Sequence, residues 1–412
     1  MAATIQNIEL KSSQIPLIYE EDKRLPLVTM QFVFTNSGSI TDTTKAGLAK
    51  FSARVMGEGT KKLGSNAFAE ALEAKAMHIS ASTGTETFVM EVGCLKEQFD
   101  EALDYFSKLI KDPNFTQEAV DKVKTTTIGS LSSKASNFDY VAGNELKKVL
   151  FAGSALENPS SGTIESVKSI ELEDVEAFIK KNLVSSKLIV VIGGDVNLKK
   201  VKPKIAQIIE GMNKGRSTKL KKLSASSKKT EKVLLKETEQ AYIYFGSPFN
   251  MDVNSPDFHK ARVATYILGA GGFGSRLMEE IRVKKGLAYS AYARVHVSQS
   301  SSYMSGYLQT KLDSMDEAKK TVKEVISEFV KNGVTKDELK HTKKFLLGSE
   351  PLRVETMSQR LNRTFMEYYK GQDLGHSQRE LELIKELKLK DLNAFIKEHT
   401  EILDMSFAIV TK

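Results

Sequence analysis

The sequence predicts an α+β fold of two homologous halves, each a mostly antiparallel sheet covered on one face by helices. Three observations lead there. A helix–turn–helix pattern occurs twice, an alternating strand-like run precedes each copy, and a lysine- and serine-rich stretch lies between them. With 412 residues, 41% hydrophobic and 27% charged, the chain has the length and the apolar side chains for two cores. Residues 1–212 are the expected first half, 213–231 the connection and 232–412 the second half.

In the first half, the opening MAATIQNIELKSSQ contains no apolar stretch of the signal-peptide kind, as a processed chain also would not. GLAKFSARVM, from Gly47, reads as a short amphipathic helix on which Lys50 and Arg54, four apart, share a face. TETFVMEVGCL (85–95) alternates as a half-buried strand does and makes Cys94 a buried structural thiol. A single cysteine leaves no internal disulfide and no cysteine zinc cluster. From Asp100, a helix striped by Leu103, Phe106, Leu109 and Ile110 leads through a turn to a Thr116 N-cap and a second helix.

The connection carries Lys214, Arg216, Lys219, Lys221, Lys222, Lys228 and Lys229, the source of most of the net charge of +8. No aromatic residue is interleaved for base stacking, so it reads as a solvated tether and no nucleic-acid partner is expected. No run approaches the roughly 20 apolar residues of a membrane span.

In the second half, SSYMSGYLQTKL (301–312) is the matching strand run. The helix from Asp316 carries Val322, Val325, Ile326 and Phe329, and Thr335 caps the next one. The copies lie 216 residues apart at Asp100 and Asp316 and 219 apart at Thr116 and Thr335, the spacing of a duplicated unit.

The most specific stretch is ILGAGGFGSRLMEEIRVKKGLAYSAYARV (267–295). Gly269, Gly271 and Gly274 spell GxGxxG, but the preceding DFHKARVATYIL has a helical stripe where a dinucleotide fingerprint needs a strand. A glycine loop between two helices fits better, with Ser275 as N-cap of the second and Gly286 ending it before a strand. Arg282 and Tyr289 flank that reversal. Both are donors suited to a carbonyl oxygen or a developing oxyanion, and both also have plain roles, dipole complement for the arginine and sheet packing for the tyrosine. The six histidines, His78, His259, His296, His341, His376 and His399, form no metal-ligand spacing.

SRLMEEIRVKKGLAYSAYA closely resembles the signature of the pitrilysin family of zinc metallopeptidases, and LPLVTMQFVFTNSGSITDTTKAGLAKF, the duplication and the mid-chain connection resemble that family too. The resemblance implies that Arg282 and Tyr289, in R-x-x-x-G-L-x-Y, are the pair that holds substrate and stabilises the tetrahedral intermediate. It also gives Gly269, Gly271, Gly272 and Gly274 to a substrate-adapting loop. In catalytic members G-L-A is followed by H-x-x-E-H, two zinc ligands and a water-activating Glu. Here those positions read Lys50, Phe51, Ser52, Ala53 and Arg54, with cations for ligands and a methyl for the base. The family's third ligand, a Glu roughly 76 residues further on, falls near Ser130, and residues 122–138 contain no acidic side chain.

The resemblance therefore implies a non-zinc subunit of a heterodimeric peptidase, inactive alone and with no cofactor of its own. A homologous HxxEH partner would supply zinc, and a peptide would be the substrate. An inert structural or assembly protein of the same fold is the alternative, and association with RNA or a membrane through the connection is a further rival. The resemblance to exported two-chain bacterial members implies a periplasmic or secreted location, with the cytoplasm as alternative.

Overall fold

The computed structural model describes residues 3–412. The first sheet contains β1 (Thr4–Glu9), β2 (Gln14–Glu21), β3 (Leu27–Thr35), β4 (His78–Thr83), β5 (Thr87–Leu95) and β6 (Leu188–Gly194), in the order β1-β2-β6-β3-β5-β4. The second contains β7 (Leu223–Ser224), β8 (Glu231–Leu235), β9 (Gln240–Pro248), β10 (Ala288–Val297), β11 (Ser301–Lys311) and β12 (Ser406–Thr411). Its main path is β10-β11-β9-β12-β8, with β7 beside β11. β2 runs parallel to β6 and β8 parallel to β12, while the remaining neighbours on both paths are antiparallel. Read from its β8 end, the second sheet repeats β2-β6-β3-β5-β4 strand for strand, so the duplication extends to topology.

Burial follows the sequence pattern. β5 alternates, with Phe88, Met90, Val92 and Cys94 inside, and burial pushes the Cys94 thiol up to about 11. The helices Leu48–Met56, Phe99–Lys111 and Leu198–Glu210 cover one face of the first sheet around Phe32 and Phe106, whose rings meet edge to face at 4.9 Å. In the second sheet, Met315–Asn332, Lys336–Gly348 and Leu389–Glu398 pack likewise on Ile243, Phe245 and Phe407. The capping box predicted at Thr335 is present, closed by Glu338.

The sheets also have a second cover, beyond the one-face expectation. β6 (LIVVIGG) and β12 (SFAIVT) have no exposed residue, so both faces of these interior strands need a layer. Each cover comes from the other half of the sequence. One compact unit comprises residues up to 132, 158–220 and 353–366, and the other 133–157, 221–352 and 367–412. In the second unit, Leu146, Leu150 and Phe151 of the Phe138–Phe151 helix pack with Ala408. Asp139 of that helix accepts from Tyr244 Oη at 3.3 Å and Gln309 Nε2 at 2.5 Å. In the first unit, Met357 and Leu361 of the Met357–Tyr369 helix lie against Gly193, where a Cβ would come within 2.6 Å of Leu361 Cδ1.

Arg360 fastens this last helix. Its guanidinium binds Glu20 Oε1 (Nε at 2.7 Å) and Asp22 Oδ2 (Nη2 at 3.1 Å), and donates to the carbonyls of Val354 and Glu355. The Glu20 side chain is fully buried and its Oε2 has no hydrogen-bond partner among the described residues. The connection proves partly ordered: β7 pairs with β11, and Lys222 Nζ donates to the Met251 carbonyl at 3.0 Å.

Removing the guanidinium with Arg360→Met strands the Glu20 carboxylate in the interior. The expected loss is about 3–5 kcal/mol in urea unfolding, and Glu20→Gln added to it recovers part.

Candidate functional site

Two local irregularities in the second unit bring Arg282 and Tyr289 together. After the glycine loop the chain is α-helical over Arg276–Met278 and then widens into a π turn over Glu279–Lys284. The Leu287 amide closes the turn on the Ile281 carbonyl at 2.8 Å. β10 then opens with a bulge: Ala288 faces Thr310 and Ala291 faces Leu308, so Tyr289 and Ser290 together oppose Gln309. Thr310 Oγ1 pins its start by donating to the Leu287 carbonyl at 2.7 Å. The bulge leaves Tyr289 81% exposed, with the Arg282 Cζ 4.3 Å from its ring centroid. π turns and bulges of this kind recur where a fold must re-aim a side chain.

A third side chain, overlooked in the sequence reading, joins them. Phe273 sits in the Gly272–Gly274 turn, 67% exposed, with its ring centroid 4.4 Å from the same Arg282 carbon. Both distances suit cation–π attraction. The guanidinium makes no hydrogen bond or ion pair among the described residues, and neither does the Tyr289 hydroxyl. The group is thus a held cation and a phenol whose donor capacity is unspent.

The glycines divide into two kinds. A Cβ on Gly269 would stand 2.3 Å from the Ala293 amide nitrogen, and one on Gly271 would meet Tyr266 at 2.8 Å, so these two serve close packing. Gly272, at φ +61°, and Gly274 have nothing within 4 Å of a Cβ and flank Phe273. The loop follows the Phe258–Thr265 helix and a π turn at Tyr266–Ala270, without the strand of a dinucleotide site. Ser275 occupies the N-cap position, but its hydroxyl donates back to the Gly272 carbonyl at 2.7 Å instead of capping the helix. The tight glycine turn puts that carbonyl within reach.

In the first unit, Lys50 and Arg54 share the polar face of the Leu48–Met56 helix. Lys50 Nζ donates to Ser161 Oγ at 3.1 Å and Arg54 Nη1 to Thr127 Oγ1 at 2.6 Å. Ala53 between them is buried. The resemblance implies a third metal-ligand position near Ser130, whereas the structure sets Thr127, about one helical turn earlier, against Arg54. Two cations, a methyl and a hydroxyl do not fit zinc, which needs lone pairs on neutral imidazoles or anions. Among the described residues no three His, Cys, Asp or Glu side chains converge on a point that would hold a metal ion.

The start of this helix is held by buried Asp42, whose carboxylate accepts from the Gly47 and Ala49 amides at 3.1 and 2.9 Å. Burial outweighs these two bonds and raises the Asp42 carboxyl to about 7. The folded state therefore holds this proton more tightly than the unfolded chain. That contribution is complete below pH about 4 and lost as pH rises through 7.

Urea midpoints measured from pH 4 to 8 should show a decline, on the order of 3 kcal/mol, that Asp42→Asn flattens. For the metal, Lys50→His with Ala53→Glu and Arg54→His supplies two imidazoles and no third ligand. Atomic absorption after gel filtration should find zinc retained only when Thr127→Glu is added, at about one per chain.

Comparisons with known proteins show the family. The family description "Insulinase (Peptidase family M16)" matches residues 18–164, and "Peptidase M16 inactive domain" matches residues 169–346. The non-peptidase homolog YmxG of Helicobacter pylori (strain ATCC 700392 / 26695) is 44% identical over 410 residues, 100% of this chain and 95% of the relative. The uncharacterized zinc protease YmxG of Bacillus subtilis (strain 168) is 23% identical over 332 residues, 80% of each. Among solved structures, a peptidase M16 inactive domain from Pseudomonas fluorescens has the same fold, with a TM-score of 0.90 at 22% identity over 99% of this chain and 97% of that one. With both halves matched and a full-length relative at that identity, the chain belongs to the M16 peptidase family, the insulinases, and is a homologue that lacks the family's zinc-binding residues.

Proposed function

We propose that this chain is the substrate-holding, non-zinc subunit of a two-chain M16 metallopeptidase. The observation that carries this reading is the Arg282–Tyr289 pair, the tyrosine exposed, the arginine half-buried and the donors of both unspent, in a chain whose H-x-x-E-H position reads Lys-Phe-Ser-Ala-Arg. A scaffold has no use for such a pair. In the proposed assembly a homologous HxxEH partner brings the zinc, the two histidines and the water-activating glutamate. Arg282 grips a substrate carbonyl or carboxylate through its N–H edge, and the Tyr289 hydroxyl donates to the oxygen that becomes negative in the tetrahedral intermediate. The glycine turn that carries Phe273 borders the peptide. The name of the Helicobacter pylori relative, a non-peptidase homolog, supports a chain that cleaves nothing alone. A periplasmic or secreted location belongs to the same proposal. No helix among the described residues is long and apolar enough to cross a membrane.

The test is peptide hydrolysis by this chain, by an HxxEH-bearing homologue from the same genome, and by their mixture. Only the mixture should cleave, and Tyr289→Phe should lower its kcat by about 10²-fold, the loss of one oxyanion donor. A partner fully active alone, or a mixture unaffected by Tyr289→Phe, would sink the proposal in favour of an inert assembly protein. Deleting residues 216–229 should leave the mixture's activity in place, and loss of activity would point to the basic connection as the functional element.

A further inference from the structure

Phe273 has no role in holding the fold. It stands 67% exposed at the tip of a glycine turn, outside the hydrophobic core of its unit. Leaving a phenyl ring in water forgoes the stabilisation that burying it would bring, and the glycines at 272 and 274 would let the turn form with a polar residue between them. What the ring touches is Arg282. The guanidinium thus has two aromatic neighbours, at 4.4 and 4.3 Å, on separate elements. Both of these rings are exposed, Phe273 and, at 81%, Tyr289. An arginine with an unspent N–H edge among exposed aromatic rings has the makeup of a binding hot spot rather than of a solvated surface.

We infer that Phe273 is a positioning and specificity residue of the substrate site. It holds Arg282 with Tyr289 before peptide arrives, and its open ring face receives a large apolar or aromatic side chain next to the peptide group that Arg282 grips. This rests on the reading of Arg282 and Tyr289 as the peptide-holding pair. Its substrate class is an extended peptide with an oxygen acceptor flanked by Phe, Tyr, Leu or Met. Part of the ordering of Arg282 is then complete before binding, and the selectivity lies with an aliphatic or aromatic neighbour instead of a charge.

The experiment compares the full chain with its Phe273→Ala and Phe273→Tyr variants. In the free chain, the Arg282 Nε–Hε NMR signal, assigned by its absence in Arg282→Lys, is shifted by ring current. Phe273→Ala should move it and Phe273→Tyr should hardly do so. In the mixture with the HxxEH homologue, β-casein peptides mapped by mass spectrometry should show cleavage beside large apolar side chains. Phe273→Ala should raise KM about tenfold, the loss of one desolvated cation–π contact and a stacking face, with kcat within about twofold, and should erase the side-chain preference. Phe273→Tyr should restore both. An unmoved NMR signal, or an active mixture whose KM and preference ignore Phe273→Ala, overturns the inference and leaves the proposed function standing. A wild-type mixture that does not cleave overturns both.

Discussion

A strand with no exposed residue must be covered on both faces, and the architecture of this chain follows from having two of them. β6 and β12 are interior strands of their sheets, and each would present an apolar face to water if only the local helices packed on it. The second layer is supplied by a segment that the sequence places in the other half. Once that segment is docked, its polar groups need partners in a buried setting. The Arg360–Glu20–Asp22 set in one unit and the Asp139–Tyr244–Gln309 set in the other supply them. The cover has a visible electrostatic mark: burial, with the nearby Asp139 carboxylate adding to it, pushes the Tyr244 phenol far above its ordinary value.

The candidate site depends on breaks in regularity that the duplication permits. The two sheets share a topology, yet the two units present different chemistry. On the Leu48–Met56 helix, the outward positions hold cations already engaged with hydroxyls. At the start of β10, a π turn and a bulge present one cation with its hydrogen-bonding edge unengaged. A cation near water that is committed to ring faces, and not to a carboxylate, keeps its charge-assisted hydrogen bonds for a ligand.

Much of this was legible in the sequence, and the misses have physical reasons. The alternation in β5, the Thr335 cap and the apolar stripe of Met315–Asn332 are local signals, and they folded as read. The nearness of Arg282 and Tyr289 followed from a helix-to-strand reversal at Gly286, which takes φ +62°. The exchange of helices was not legible, because Leu146, Leu150 and Leu361 look like any amphipathic stripe and say nothing of which sheet they meet. The all-buried LIVVIGG and SFAIVT runs were the available hint, since a strand covered on one face alone alternates. Phe273 was not legible, because a ring between glycines carries no periodic signal and its contact with Arg282 forms only through the turn. The three-residue offset between Ser130 and Thr127 reflects a spacing carried over by resemblance, which fixes a helix but not the turn of it that faces Arg54.

The crossed covers also govern how the polypeptide can be divided. Cutting in the basic connection would yield two pieces of nearly equal length, each with its main hydrophobic core but with a sheet face left uncovered. The N-terminal piece would retain the Phe138–Phe151 helix with no sheet to place it on, and the C-terminal piece would keep Arg360 without Glu20. The duplicated halves are therefore not modules in the sense of parts that can be shuffled or inherited singly. A gene split at that point would encode two companions, each covering its second sheet face only by capturing the other.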